Sequence, residues 1–413
     1  MTPAPKLAIP RPVAMLTHSY YEEDPRVRRE AEAIVAMGRD VDVFALRRPE
    51  DPPTEILDGV TIRRLGVQRH QGAGLGTYLR EYLAFLLRAG WAVTAAHRRR
   101  RYGLVQVHTL PDFLVFAALP LRLLGVPVLL DLHESMPEFF RSRFRGRGGR
   151  IGYALLRFQE RASTRFATAV LTVNDALGDR LIAIGVPADK VTVILNAPSL
   201  ARFDPTRYPA RPFMADGTLR LVYAGALSPI YELDVVLDAI ARMSRIRPGL
   251  PVCLELYGRD FAEVPLRDRA AELGIADRVT FHGRIPIEAV PAAIAGTDVG
   301  LAPTRRNAFT DFSLSTKAFE YAAMGRTVVA SRLPMVERTF ADDVVTYDPG
   351  DADDLAAALL RIVDAPVERE ARVARALERV GDLGWEHESA RFLALVERIA
   401  RRRDAARSSG GSR

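Results

Sequence analysis

A single cysteine, Cys253, occurs in 413 residues. It sits in the apolar run Val252-Cys-Leu-Glu-Leu256, where a thiol is core packing. One thiol cannot build a disulfide framework, which fits a reducing compartment. Long apolar runs are scarce. The most apolar stretch, Phe113 to Leu130, carries Arg122 and two prolines, and reads as a helix followed by a buried strand, not a membrane span. The N-terminus has no apolar secretory core, so a cytoplasmic protein is expected. Zinc-finger spacings and RNA-binding signatures are missing, and the basic runs lack interleaved aromatics for base stacking. Nucleic acid is therefore not an expected partner. No metal-ligand cluster is evident, so no metal is expected, and no solenoid period appears. Gly72-Ala-Gly-Leu-Gly76 lacks the dinucleotide spacing and reads as a flexible loop, which disfavours a nicotinamide oxidoreductase.

Excess negative charge is also absent from the first half. Residues 1–205 hold 29 Lys and Arg against 21 Asp and Glu, and the remainder holds 29 against 30. The excess is concentrated in Arg98–Arg101 and Arg141–Arg150. Such patches suit an anionic inner-membrane surface or a phosphate-bearing acceptor, or are a solvated basic face.

What is present is a soluble α/β composition, 48% hydrophobic and 26% charged, long enough for two or three domains. Short apolar strands alternate with helical patterns throughout, which predicts parallel sheets. Val13–Thr17, Val41–Ala45, Val60–Leu65, Leu104–His108, Val126–Asp131, Ala169–Val173 and Val191–Leu195 read as strands. Asp24-Pro25 starts a helix as N-cap and N1. Asp175 is expected to cap another. The helix from Tyr78 to about Ala96 places Leu79, Leu83, Leu86 and Leu87 on one side. A proline-rich linker, 196–217, precedes a second alternation through Leu219–Tyr223, Val252–Leu256, Val279–Phe281, Val299–Leu301 and Thr327–Ala330. Two doubly wound units in tandem are expected, with ligands at the carboxyl ends of the strands and a cleft between the units.

Two segments carry chemistry. Thr310 to Ala330 reads as loop, helix, glycine stop and strand. Ser315 can cap the helix, Lys317 lies in its first turn and Glu320 on the same face. A cation beside a helix N-terminus suits a diphosphate, and a carboxylate can accept sugar hydroxyls. The same residues would also suit an ordinary amphipathic helix with a surface ion pair. In the second segment, Asp131-Leu-His133-Glu134-Ser-Met-Pro-Glu138 puts polar groups at the end of a buried strand. There His133 is a candidate site residue or a satisfied structural histidine. Glu134 and Glu138 are candidates to pair with the 141–150 arginines.

Ser313 to Ala330 resembles the donor-binding signature of glycosyltransferase family 4, retaining enzymes of the GT-B fold that use nucleotide-activated sugars. The 131–138 segment resembles a form found in bacterial members, and Asp24-Pro-Arg-Val27 a recognised subgroup. The resemblance runs in order over nearly the whole chain. It implies two Rossmann-like, doubly wound parallel-sheet domains facing a central cleft. Residues 1–205 would form the acceptor side, with a returning helix at 386–403, and 206–385 the donor side. Residues 404–413 would be a disordered tail. His133, Lys317 and Glu320 would carry catalysis. Gly225, Ala226, Tyr231, Tyr257, Gly258, Arg259, Gly283, Arg284, Asp311, Leu314, Ser315 and Thr316 would line the donor site. Arg26, His108 and Glu134 would face the acceptor. Ala226 and Tyr231 stand where many members carry cations, so diphosphate charge would fall to Lys317, helix amides and Arg305 or Arg306. The first acid of the family's pair is missing or displaced to Asp311. The implied reaction moves a sugar from a nucleotide-diphosphate sugar, a UDP- or GDP-sugar, to a glycan or lipid-linked acceptor hydroxyl in polysaccharide biosynthesis. No cofactor or metal would be needed, and the enzyme would be cytoplasmic and peripheral to the membrane. A nucleotide-sugar epimerase or hydrolase, or a non-catalytic binder on the same fold, are the competing readings.

Overall fold

The computed structural model describes residues 11–68, 75–143, 146–209, 211–259 and 262–410. The chain divides into two compact units, Met1–Leu195 with Glu388–Arg413, and Asn196–His387. The division falls at Leu195, before the expected boundary at 205, so the proline-rich segment belongs to the second unit.

The first unit is built from β1 (Val13–Leu16), α1 (Pro25–Ala36), β2 (Val41–Leu46), β3 (Thr54–Leu57), β4 (Val60–Leu65) and α2 (Leu75–Arg100). It continues through β5 (Leu104–His108), α3 (Leu119–Leu123), β6 (Val128–Leu132), α4 (Met136–Arg143) and α5 (Gly146–Phe166). Then come β7 (Ala169–Thr172), α6 (Asp175–Ala183) and β8 (Val191–Val193). The sheet order is β3-β4-β2-β1-β5-β6-β7-β8, parallel except where β3 pairs β4. That hairpin turns at Asp58-Gly59, both at positive φ, the dipeptide such a turn favours. β1, β2, β5, β6 and β7 are buried along their whole length, as expected of parallel strands covered on both faces. Right-handed crossovers put the connections running from β4 to β8 on one face of the sheet and α1 on the other.

Asp24 caps α1 by accepting from the Arg26 amide, with Pro25 at N1. For α6 the cap is Asn174, which accepts from the Leu177 amide, and not Asp175. Asn174 is the last residue outside the helix and Asp175 is already helical, so only Asn174 can reach the free amides. Gly76, expected in a loop, lies in α2, while 72–74 fall outside the described residues. α2 buries Phe85, Ala89 and Val93 and leaves Leu79, Leu83 and Leu87 of the expected side outward, with Leu83 45% and Leu87 70% exposed, while Leu86 packs on the core.

The second unit holds β9 (Leu219–Ala224), α7 (Leu233–Ile246), β10 (Val252–Tyr257), α8 (Glu263–Glu272), β11 (Val279–Gly283) and α9 (Val290–Ala295). β12 (Val299–Ala302), α10 (Thr316–Ala323), β13 (Thr327–Ser331), α11 (Pro334–Phe340), β14 (Val345–Tyr347), α12 (Ala352–Asp364) and α13 (Pro366–Leu383) follow. Its all-parallel sheet runs β11-β10-β9-β12-β13-β14. Leu221, Leu254, Leu256, Val236 and Ile240 centre its core. The last helix, α14 (Trp385–Gly410), starts in the second unit and belongs mostly to the first. It extends through much of the expected tail, and 411–413 lie outside the described residues.

Candidate functional site

In the first unit the chemistry gathers where β1, β5 and β6 end. Parallel pairing sets His108 beside Asp131, and the two-residue strand period returns His133 to the side of Asp131. One carboxylate oxygen, Asp131 Oδ2, lies 2.8 Å from both His108 Nδ1 and His133 Nε2. The imidazoles are stacked at 6.3 Å. The His133 amide donates to Thr109 Oγ1 at 3.3 Å. All three side chains are buried. Burial would raise Asp131, but His133 and the hydrogen bonds of both imidazoles hold its carboxyl well below the usual range. Burial works downward on His108, yet its bond to Asp131 carries it above the ordinary value. His133 is carried down, chiefly by burial, against the pull of Asp131. His108 Nε2, His133 Nδ1 and Asp131 Oδ1 remain without hydrogen-bond partners among the described residues. The arrangement is an anchored pair of buried imidazoles, each with one ring nitrogen able to take a further hydrogen bond. The same donors, all within 4.8 Å, could also take a divalent cation. Asp131 is the member of this cluster to which the sequence analysis gives no role, although its Asp-x-His spacing already put it on the His133 side of the strand.

Arg26 is pinned by its own helix cap, with Nε 3.0 Å from Asp24 Oδ1 and Nη2 3.2 Å from Oδ2. Burial works against that pair, yet Arg26 holds Asp24 down to about 2. The Glu134 carboxyl is raised by burial, against Arg26. Among the described residues Glu138 pairs with none of the 141–150 arginines. It accepts from Arg180 at 2.6 Å, and Arg180 also holds Glu160 at 2.7 Å. Arg180 reaches them from α6, already oriented by packing.

The second unit holds a cavity of about 310 Å³ at the ends of β9, β10 and β11. Gly225, Ala226, Tyr257, Gly258, Arg259, Arg284 and Glu320, all candidate site residues of the sequence, line it together. Phe203, Ile285, Ile287 and Val290 line it as well and were not foreseen, because their spacing is that of ordinary core residues. Two glycines make it possible. A Cβ on Gly258, at φ +145°, would lie 1.8 Å from the Gly225 carbonyl oxygen, and one on Gly225 would lie 2.4 Å from Lys317 Cε. The Gly225 amide donates to the Tyr257 oxygen and that of Gly258 to Gly283, each at 2.8 Å. The Tyr257 ring stacks on His282 at 4.3 Å. The Glu320 carboxyl is raised by burial, with Lys317 and Arg202 pulling the other way.

Other expected donor residues lie around the cavity without lining it. The Lys317 ammonium rests 4.2 Å from the Tyr231 ring centroid and 5.2 Å from that of Tyr223. No carboxylate lies within ion-pair distance of it among the described residues. Ser315 sits at the N-cap of α10, but its side chain accepts no capping bond, which leaves first-turn amides unsatisfied by it. Thr316 opens that helix, and Leu314 packs on the hydrophobic core behind it. Arg305 is occupied by Asp234 and the Pro229 carbonyl. Asp311 accepts from Arg306 Nε at 3.1 Å, so that acid and that cation neutralise each other.

Residues 24–197 match the model of a glycosyl transferase 4-like domain, and 218–365 that of glycosyl transferases group 1. The D-inositol 3-phosphate glycosyltransferase of Thermomonospora curvata is 26% identical over 390 residues, 88% of each chain. The sucrose-phosphate synthase structure from Thermosynechococcus elongatus superposes with a TM-score of 0.77 at 20% identity, covering 94% of this chain and 99% of that one. HepE of Anabaena, solved in complex with UDP-glucose, gives 0.66 at 15% identity, covering 93% and 99%. Both halves, in the right order and on the right architecture, make this chain a member of glycosyltransferase family 4, an enzyme family of the GT-B fold.

Proposed function

We propose that the chain transfers a sugar, with retention of anomeric configuration, from a nucleoside diphosphate sugar to a hydroxyl of a glycan or lipid-linked acceptor. The observation that carries this reading is the cavity of the second unit. Its floor is glycine backbone, its wall holds a stacked aromatic and the Glu320 carboxylate, and Lys317 stands beside Gly225. A cation held by aromatic faces keeps its charge for an anion, here the diphosphate leaving group. Glu320 would accept ribose hydroxyls. On the acceptor side, His133 would hold the reacting hydroxyl through Nδ1, with Asp131 fixing its ring, and Arg26 and Glu134 nearby. UDP is the first nucleotide to test, because the Anabaena neighbour was solved with UDP-glucose.

The test is a thermal-shift series with UDP, GDP, ADP, TDP and CMP on wild type and Lys317→Ala. One nucleotide should stabilise the wild type, by about 2.7 kcal/mol at a hundred times its Kd, and lose most of that effect in the variant. No stabilisation by any nucleotide, or an unchanged response in Lys317→Ala, would sink the donor site. A binder without transfer is a second reading, favoured because Arg305 and Arg306 are already engaged. It would show nucleotide stabilisation without nucleotide release from any sugar donor.

A further inference from the structure

α2 is apolar on two opposite faces. Phe85, Ala89 and Val93 are fully buried, whereas Leu79, Leu83, Leu87 and Trp91 are 54%, 45%, 70% and 77% exposed. The exposed four recur every four residues and form one stripe. The neighbouring helices repeat the pattern. α5 exposes Ile151, Leu155 and Phe158, again one stripe, and the end of α3 exposes Leu123 and Leu124. These helices adjoin through the segment 112–118. Gly90 of α2 abuts Ala117, and Phe116 packs on Phe166 of α5 at 5.1 Å. They lie on the same side of the sheet. Exposed apolar stripes on adjoining helices of this kind mark an interaction surface.

On α2, α5 and the 112–118 segment the exposed charges have one sign. The carboxylates of α2, α5 and the 112–118 segment are Glu81, Glu160 and Asp112, and all three are buried. Arg80, Arg88, Arg122, Arg161 and Arg165 are exposed among the apolar stripes. Arg165 continues the α5 stripe beyond Phe158, and with Arg122 it opens a cavity of about 290 Å³ that Lys190 and Arg398 also line, four cations against the single acid Asp189. None of these four cations has a carboxylate partner among the described residues. A second copy of the chain would bring this face against itself and oppose arginine to arginine. An occupant must offer apolar depth and negative charge together.

We propose that this face rests on an anionic lipid surface, with the leucine stripe and Trp91 in the acyl boundary and the arginines on headgroup phosphates. It adjoins both expected patches, since Arg150 directly precedes Ile151 of the α5 stripe. Arg98–Arg100 end α2, and residues 144 and 145 of the other run fall outside the described residues. The proposal gives a purpose to the lipid-linked acceptor reading and is tested independently of it, since vesicle binding and nucleotide binding are separate measurements.

The full chain is floated with phosphatidylcholine vesicles with and without phosphatidylglycerol, alongside the triple variant Leu83→Ser, Leu87→Ser, Trp91→Ser. Wild type should bind the anionic vesicles about ten-fold or more tightly than the variant, and release as salt rises. The two tryptophans make a second readout. Trp385 is buried, so a blue shift of emission on vesicle addition reports Trp91. Thermal melting in nucleotide checks that the variant is folded. No binding at low salt, or equal binding by wild type and variant, overturns the proposal. So does a wild-type dimer in solution that the substitutions turn into monomer, because a second copy would then cover the face.

Discussion

At the scale of single residues, the first unit holds two kinds of buried titratable group. His133 is anchored on one nitrogen, and the other is buried without a hydrogen-bond partner among the described residues. His133→Ala should lower turnover about 100-fold or more. Nucleotide stabilisation should persist, since the cavity belongs to the other unit. Unchanged turnover would remove His133 from the reaction. Asp112 is a different case. It is buried, neither oxygen has a hydrogen-bond partner among the described residues, and burial, with Glu160 adding to it, pushes its carboxyl up to about 8. The folded chain therefore keeps a proton that the unfolded chain has released. Stability should fall as pH rises from 3.8 towards about 8, by at most about 1.4 kcal/mol per pH unit from this group. Asp112→Asn should remove that slope, so urea midpoints of variant and wild type should diverge steadily with rising pH. Parallel curves would show that Asp112 ionises in the fold as it does in water.

At the scale of elements, periodicity identified helices and strands well and identified which side packs less well. The leucines of α2 formed a clear apolar side, yet the core took Phe85, Ala89 and Val93. The pattern of an isolated helix shows that a face is apolar, not what lies opposite it. Caps behaved similarly: Asp24 was legible through Pro25, whereas Asn174 and Asp175 are adjacent and both suited to capping. The floor of the cavity was legible only in part. Gly225 stood out at the end of its strand. The need for glycine at 258 comes from a carbonyl on the neighbouring strand, a contact that no local pattern contains. Gly258→Ala should therefore cost about 3 kcal/mol or more and abolish nucleotide stabilisation. Gly249→Ala, whose Cβ would meet nothing, is the control. A Gly258→Ala protein with wild-type melting and nucleotide response would mean that the two strand ends separate easily.

At the scale of the whole molecule, the tandem plan was legible because the strand-helix alternation stops at the prolines after Asn196 and restarts at Leu219. The exact division was not, because linker composition says nothing about which unit the linker packs on. The return of the last helix came from family resemblance, and its consequence is energetic. Phe392, Leu395, Val396 and Ile399 are buried, and all belong to the first unit. Each is worth about 1.5–3 kcal/mol, so together they approach the 5–15 kcal/mol that stabilises a typical domain. Two polar ties join them. Glu397 holds Arg39 at 2.7 Å, and Glu388 accepts from the Leu195 amide at 2.8 Å. Ending the chain at Gly384 should therefore unfold the first unit while the second keeps its sheet and its cavity. Hydrogen exchange would read this directly: amides of β5, β6 and β7 should lose protection, and those of β9, β10 and β12 should keep it. Stabilisation by nucleotide should survive, because no residue lining the cavity lies beyond Glu320. If both units stayed protected, the helix would be a surface attachment; if both were lost, the second unit would depend on the first to fold.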